Sequence, residues 1–267
     1  MNLASIIDTP RSERKQAVIL DHLDYSQAVI LQNRQIPWDD PMAYANFIGQ
    51  GQSLLKPDLA VLHLDRFYAQ EVESNALLRT AMSAKKRTGY ALRTLLAEGE
   101  VLDRAWALAN TVAQTLGDPV VLQVPSPWRW LLATHGLSGR ADHRELDADD
   151  AENASIFVAD WLRNFSELAL AGVLLDDRVP PGGEHPVGVD LEVYSPLINV
   201  TENYGWTLGM RREDSIDLWK LDLRGQVLDS GYWTGEAAPP PTADLIVSEL
   251  PPTAVPEDVI ARVAALG

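Results

Sequence analysis

The 267-residue chain contains no cysteine, which excludes disulfide bonds, thiolate nucleophiles and thiolate metal ligands. It also lacks a run of about 18 apolar residues, and residues 1–15 lack the basic start and apolar core of a signal peptide. GxGxxG, Walker, HExxH and EF-hand patterns are missing as well. We therefore expect a cytoplasmic protein that needs no nucleotide cofactor.

Basic residues are scarce, with 22 Lys and Arg against 38 Asp and Glu, so the formal net charge is −16. Such a field repels the phosphates of nucleic acids and of anionic lipids. The hydrophobic content of 46% is ordinary for a folded globular chain. The composition favours a small-molecule substrate and argues against nucleic-acid and membrane partners.

The chain does contain short apolar runs that stop abruptly in polar or charged residues. A buried parallel strand is a nearly continuous apolar run, and in α/β folds the chemistry lies at the carboxyl ends of such strands. We therefore predict a TIM-like (β/α)8 barrel with a ring of polar groups at one end. The runs occupy residues 58–67, 118–130, 171–178, 196–206, 215–222 and 244–252.

We predict two regions, an N-terminal arm at residues 1–40 and a single barrel domain at residues 41–267. The arm contains the sequence AVIL twice, starting at Ala17 and Ala28, and the copies fit either one helix face or two short strands. Asp40 and Pro41 then suit the start of a helix that should end near Gly49 or Gly51. Further helices are predicted at residues 70–98, 101–116 and 150–170.

The C-terminal third is irregular, because its three strand candidates are separated by too few residues for full crossover helices. Either the outer helices are shortened or missing here, or residues 215–235 form a hairpin around Arg224 and Gly225. Before this region, residues 179–190 are rich in proline and glycine, and we interpret them as a loop or lid over the active site.

Three segments carry a family resemblance. A strand end contains proline, a second strand reads Ala-Gly-aliphatic-Asp, and a late strand precedes a helix that begins with Pro-Glu. In this order they resemble the uroporphyrinogen decarboxylase and cobalamin-independent methionine synthase superfamily of (β/α)8 barrels, over roughly residues 101–267. The segments are PVVLQVPSPWRWL (119–131), FSELALAGVLLDDR (165–178) and LIVSELPPTAVPEDVIARVAAL (245–266).

The resemblance implies one of two chemistries. The methionine synthase branch holds zinc with His and Cys, and the absence of cysteine argues against that zinc chemistry here. The decarboxylase branch needs no cofactor and binds a polycarboxylate through arginines and an aspartate. Asp65, Arg66, Arg129 and Arg178 are the residues that would take those parts.

The candidate site residues follow the predicted strand ends. His63 and Asp65 would share one side of a strand, and Asp176 and Asp177 would point to opposite faces. Glu202, Asn203 and Tyr204 offer a carboxylate, an amide and a phenol, and Asp222 and Glu249 would complete the ring. We predict catalytic roles for Asp65, Asp176, Asp177, Glu202 and Tyr204, and substrate binding by His63, Arg66, Trp128, Arg129, Arg178 and Asn203.

We predict an enzyme that acts on a small polar, carboxylated metabolite by acid/base or decarboxylase-like lyase chemistry. No metal ligands are assigned, although His63 with carboxylates would accept Mg²⁺ or Mn²⁺ in a metal-assisted enzyme of the methyl-transfer type. A third interpretation is a non-catalytic barrel that binds a small molecule or serves as a partner subunit. Trp38 and Tyr44, aromatic residues without an evident core partner, suggest a homodimer.

Overall fold

Two sheets of mostly parallel strands lie at the centre of the computed structural model, which describes residues 2–138, 146–179, 188–236 and 243–266. The strands are β1 (Ala17–Asp21), β2 (Ala60–His63), β3 (Val120–Pro125), β4 (Leu170–Asp176), β5 (Thr207–Arg211), β6 (Ile216–Leu218), β7 (Gly225–Leu228) and β8 (Leu245–Glu249). The larger sheet has the order β2–β3–β4–β5–β6, and the smaller has the order β1–β8–β7. β6 runs antiparallel to β5, and the other pairs are parallel. The predicted α/β class with parallel strands is confirmed.

Helices follow most of the strands. They are α1 (Leu3–Asp8), α2 (Leu23–Val29), α3 (Pro41–Leu55), α4 (Leu64–Ser74), α5 (Ala76–Met82), α6 (Tyr90–Leu96), α7 (Gly99–Thr115), α8 (Pro127–His135), α9 (Ala148–Leu162), α10 (Ser195–Tyr204), α11 (Gly231–Thr234) and α12 (Pro256–Ala264). Between β5 and β8 the only helix of the described residues is α11, with four residues. Of the two alternatives, the hairpin is wrong, because β6 pairs with β5 in the larger sheet while β7 pairs with β8 in the smaller one. The described residues fit the alternative with shortened or missing helices.

The predicted start of α3 is confirmed, since the Asp40 side chain accepts from the backbone N–H groups of Met42 and Ala43. Its predicted end is wrong, because the helix continues through Gly49 and Gly51 to Leu55. A Cβ at residue 51 would lie 2.5 Å from the His22 ring. This glycine therefore allows a close approach to His22 and does not end the helix.

The predicted strand at residues 196–206 is also wrong. This segment is α10, with Pro196 in its first turn and Gly205 at its C-cap in the left-handed conformation, at φ +70°. Its buried side chains include Leu197, Ile198 and Val200, whose spacing suits one face of a helix. The helix predicted at residues 70–98 is divided into α4, α5 and α6, with Asn75 capping α5.

Residues 1–40, predicted as an arm, contribute α1, β1 and α2. The first AVIL copy forms most of β1, which pairs with β8 from Ala17 to Asp21. The second copy begins in the last turn of α2. Trp38 stacks on Tyr44 with ring centroids 4.8 Å apart, and both are buried in the main core. The aromatic residues on which the homodimer prediction rested therefore lie inside the chain.

The two sheets approach each other beside β1 and beside β6. Beside β1, the Asp58 backbone N–H donates to the Val18 carbonyl at 3.0 Å, and the Asp58 carboxylate accepts from the Val18 N–H at 2.8 Å. Beside β6, a Cβ at Gly225 would lie 2.5 Å from Ile216 Cγ2. Both sheets and α1 also share one apolar cluster, formed by Leu3, Ile6, Ile7, Ala17, Ile19, Leu59, Val61, Val121, Ala171, Leu174, Ile216, Leu245 and Val247.

The main apolar core lies between the larger sheet and its helices. An aromatic group at its centre links α4, α8 and α9, with the Trp161 indole N–H donating to the Tyr68 hydroxyl at 2.7 Å. No helix in the described part of the chain is both long and apolar enough to cross a membrane.

Candidate functional site

Charged and amide side chains from both sheets meet at the carboxyl ends of the strands. Burial of several charged groups together is costly unless they pair, so such a group marks a candidate site. We call it the strand-end cluster. Its members are Asp21, His63, Asp65, Gln123, Asp176, Arg178, Arg211 and Glu249.

A hydrogen-bonded chain runs through the first half of the cluster. His63 Nε2 lies 3.3 Å from Asp21 Oδ1, and the Gln123 amide nitrogen lies 3.3 Å from His63 Nδ1. An amide nitrogen only donates, so the His63 tautomer that makes this bond accepts at Nδ1 and directs Nε2–H towards Asp21. The same amide nitrogen donates to Asp65 Oδ2 at 3.2 Å. His63 and Gln123 thus fix the position of Asp65.

Asp65 lies in the first turn of α4, so the prediction that it shares a strand with His63 is wrong. Its Oδ1 atom is buried, 3.9 Å from His63 Nδ1, and has no hydrogen-bond partner. Burial raises the pKa of Asp65 to about 6, and the charges of Asp176 and Asp21 add to the increase while His63 opposes it. A carboxyl group with this pKa exchanges protons readily near neutral pH.

Arg178 connects the two sheets across the cluster. Its Nε and Nη2 atoms donate to the two oxygens of Asp176 at 2.9 and 2.7 Å, and Nη1 donates to Glu249. Burial alone would lower the pKa of Arg178, but Asp176 and Glu249 outweigh it and raise that pKa. Both oxygens of Asp176 therefore accept from Arg178.

Arg211, at the end of β5, is 4% exposed. Its Nη2 atom lies 3.7 Å from Glu249, and its Nε and Nη1 atoms have no hydrogen-bond partner. Burial and the neighbouring charge of Arg178 lower its pKa. A buried donor without a partner costs about 1–3 kcal/mol, so this arginine is held in an unfavourable state.

Asp177 points away from the cluster, as expected for neighbours on a strand. Its carboxylate accepts from Ser126 Oγ at 2.5 Å, and Arg129 Nε donates to its backbone carbonyl at 2.8 Å. Burial raises the pKa of Asp177. Trp128 is buried in the same region, with its indole N–H unpartnered. Asp177, Ser126 and Arg129 therefore form a separate group, and Trp128 lies beside Arg129 in the first turn of α8.

Besides Asp177, Trp128 and Arg129, four more of the predicted site residues lie outside the cluster. Arg66 forms a bidentate pair with Asp24 at the surface. Glu202, Asn203 and Tyr204 lie in the last turn of α10, and Glu202 accepts from Trp219 at 2.7 Å and from Lys220 at 2.5 Å. The choice of Glu202, Asn203 and Tyr204 assumed a strand at residues 196–206, where the structure has α10.

Sequence reasoning named five residues that reach the cluster: His63, Asp65, Asp176, Arg178 and Glu249. It assigned no site role to Asp21, Gln123 or Arg211. A signal existed for Gln123, the lone amide within the apolar run VVLQVP, and for Arg211, which ends the short run TLGM. Of the loop at residues 179–190, positions 180–187 lie outside the described residues.

A cleft of about 670 Å³ beside α4 is a weaker candidate. Its cations are already neutralised, because Arg66 pairs with Asp24 and Arg104 with Glu71 and Asp39. In the part of the chain that the structure describes, no group of three His, Asp or Glu side chains is arranged to hold a metal ion.

Comparison with protein-family models, with curated proteins and with solved structures finds no match for this chain.

Proposed function

We infer that the two sheets are parts of one TIM-like barrel. The backbone contact between Asp58 and Val18, the close approach of Gly225 to Ile216 and the shared apolar cluster support this arrangement. The strand-end cluster supports it too, because its residues come from β1, β2, β3, β4, β5 and β8 or directly follow them. In such barrels the active site lies at this end.

We propose that the protein is an enzyme that acts on a small polar, carboxylated metabolite by proton transfer, with Asp65 as general acid and base. The observation that carries this proposal is the state of Asp65, which has one oxygen held by Gln123, a buried oxygen without a partner, and a pKa raised to about 6. An acid or base with a pKa near the working pH is the most effective.

In this proposal Asp65 Oδ1 accepts a proton from the substrate or returns it, while Oδ2 stays bonded to Gln123. Asp21 and His63 hold Gln123 in place and do not touch the substrate. Proton abstraction next to a carboxylate and protonation after loss of carbon dioxide both need such a group. The resemblance to the decarboxylase superfamily remains part of the proposal, and the chemistry needs no nucleotide.

Deuterium exchange tests the proposal whatever the product of the reaction is. The purified protein is incubated in D₂O at pH 7.5 with a panel of small carboxylic acids, and deuterium uptake at carbon is followed by mass spectrometry. We expect uptake into at least one acid, and we expect Asp65→Asn to slow it at least about 100-fold, the usual effect of removing a general base.

The matched control is Asp103→Asn, because Asp103 is exposed on α7, and this variant should exchange like the wild type. Equal rates for Asp65→Asn and the wild type would contradict the role of Asp65. Binding of an acid without any exchange would instead favour the non-catalytic interpretation, in which the barrel is a small-molecule binder.

A further inference from the structure

The strand-end cluster contains unpartnered polar atoms of both kinds. The acceptors are Asp65 Oδ1 and Gln123 Oε1, and the donors are Arg211 Nε and Nη1. A guanidinium has one N–H on Nε and two on each Nη, so more than half of the Arg211 donors lack an acceptor. Buried polar atoms are nearly always bonded, and such exceptions together indicate the place of a missing partner.

Among the described residues, no carboxylate accepts from Nε or Nη1 of Arg211. Both oxygens of Asp176 accept from Arg178, and Glu249 accepts from Arg178 while lying 3.7 Å from Arg211, beyond hydrogen-bond distance. Asp21 faces His63 and the Leu23 N–H. Nε and Nη1 of Arg211 are therefore free to bind a ligand.

The charges around Arg211 restrict that partner. Asp21, Asp176 and Glu249 act on Arg211 with negative charge, and Arg178 is the opposing cation. A dianion such as a phosphate ester would be repelled by three carboxylates. A single carboxylate meets less repulsion at Arg211, and a hydrogen-bond donor on the same molecule would suit the unpartnered oxygens of Asp65 and Gln123.

We propose that Arg211 binds the carboxylate of a short hydroxy- or amino-carboxylic acid, whose hydroxyl or ammonium group donates to Asp65 Oδ1 and Gln123 Oε1. This inference rests on the proposed function and names its substrate class. Arg211 is then the group that selects the substrate, and the reacting end lies at Asp65.

Calorimetric titration tests the inference with defined probes. The binders to examine are glycolate, L-lactate, L-malate, glycine and L-serine. Propionate lacks the donor group, and glycinamide lacks the carboxylate. We expect at least one hydroxy or amino acid to bind at least tenfold more tightly than both comparison compounds, and the preferred series decides between hydroxyl and ammonium.

The residue is tested with Arg211→Lys, which keeps the charge but loses the planar fork and should weaken that binding at least tenfold. Arg224→Gln is the control, because Arg224 is 71% exposed and directly precedes β7, at the opposite end of that strand from the carboxyl ends. A binding constant for Arg211→Lys within threefold of the wild-type value would overturn the inference. So would a panel in which no hydroxy or amino acid binds more tightly than propionate.

A measurement on the wild type covers the case in which Arg211→Lys does not fold. The Nε–H signal of Arg211 in a ¹⁵N NMR spectrum should move on titration with the tightest probe, and a fixed signal at saturation would overturn the inference. Exchange that depends on Asp65 while Arg211→Lys binds normally would defeat the inference and leave the proposed function intact. Binding that depends on Arg211, with no deuterium exchange in any acid, would support the inference and contradict the proposed function.

Discussion

The carboxylates of the strand-end cluster differ because their partners differ. Asp176 gives both oxygens to Arg178, whereas Asp65 has one oxygen bonded to Gln123 and one without a partner. Burial alone would raise the pKa of Asp21, but His63, Arg211 and Arg178 together lower it. Asp21 therefore stays ionised and orients His63, while Asp65 is the carboxyl group that can take up a proton near neutral pH.

At the scale of the residue, Asp65→Asn should stabilise the protein. The folded-state pKa of Asp65 is about 6 against an ordinary value of 3.8, so the folded state binds the proton more tightly than the unfolded state. The contribution of Asp65 to stability is therefore lost as the pH rises through 6. At pH 7.5 we expect the free energy of unfolding of Asp65→Asn to exceed that of the wild type by about 1–3 kcal/mol, as measured by urea denaturation.

The difference in the free energy of unfolding between Asp65→Asn and the wild type should shrink as the pH falls towards 4, because the wild-type Asp65 carboxyl group is then protonated. Asp103→Asn should show neither effect. An Asp65→Asn variant that is less stable than the wild type at pH 7.5 would mean that the carboxylate is well paired, contrary to the structure.

At the scale of the element, the sequence predicts those strands that are long apolar runs with a charged end. β2, β4 and β8 are of this kind, and they lead to the five residues of the cluster that the sequence analysis names: His63, Asp65, Asp176, Arg178 and Glu249. The runs place strand ends well, because a fully buried parallel strand has no polar face to obscure them.

The secondary-structure predictions are wrong where a short apolar run can form either a strand or a helix. Residues 196–206 contain apolar side chains that suit either a strand or a short helix, and the left-handed Gly205 together with tertiary packing selects the helix. With the strand assigned too early in the chain, β5 and therefore Arg211 were missed. β7 has four residues, mostly half-buried, and its pairing with β8 is a long-range contact that no local pattern specifies.

At the scale of the whole molecule, Asp58 connects the two sheets. It is 1% exposed, and its carboxylate accepts from the backbone N–H groups of Ser12 and Val18 at 2.7 and 2.8 Å. The Asp58 carboxylate accepts the hydrogen bond from the Val18 N–H that a neighbouring strand would otherwise accept from β1. The inferred barrel depends on that contact, since it lies between β1 and the start of β2.

Asp58→Ala should therefore destabilise the whole molecule. Two backbone donors would lose their acceptor, and we expect the free energy of unfolding to fall by about 2–4 kcal/mol in urea denaturation. Asp103→Ala removes an exposed carboxylate and should change it by less than about 0.5 kcal/mol. A similarly small effect for Asp58→Ala would show that the two sheets do not depend on this residue.

Whether Asp65 can act as acid and base is decided by the pKa of its carboxyl group. This pKa can be followed by ¹³C NMR across pH 3–8 in protein labelled at aspartate, with Asp65→Asn supplying the assignment. This measurement needs neither a substrate nor an assay of turnover. We predict a midpoint near 6, which is the value expected for a buried carboxyl group with one oxygen unpartnered. A midpoint at or below the ordinary value of 3.8 would contradict the proposed role of Asp65 as acid and base.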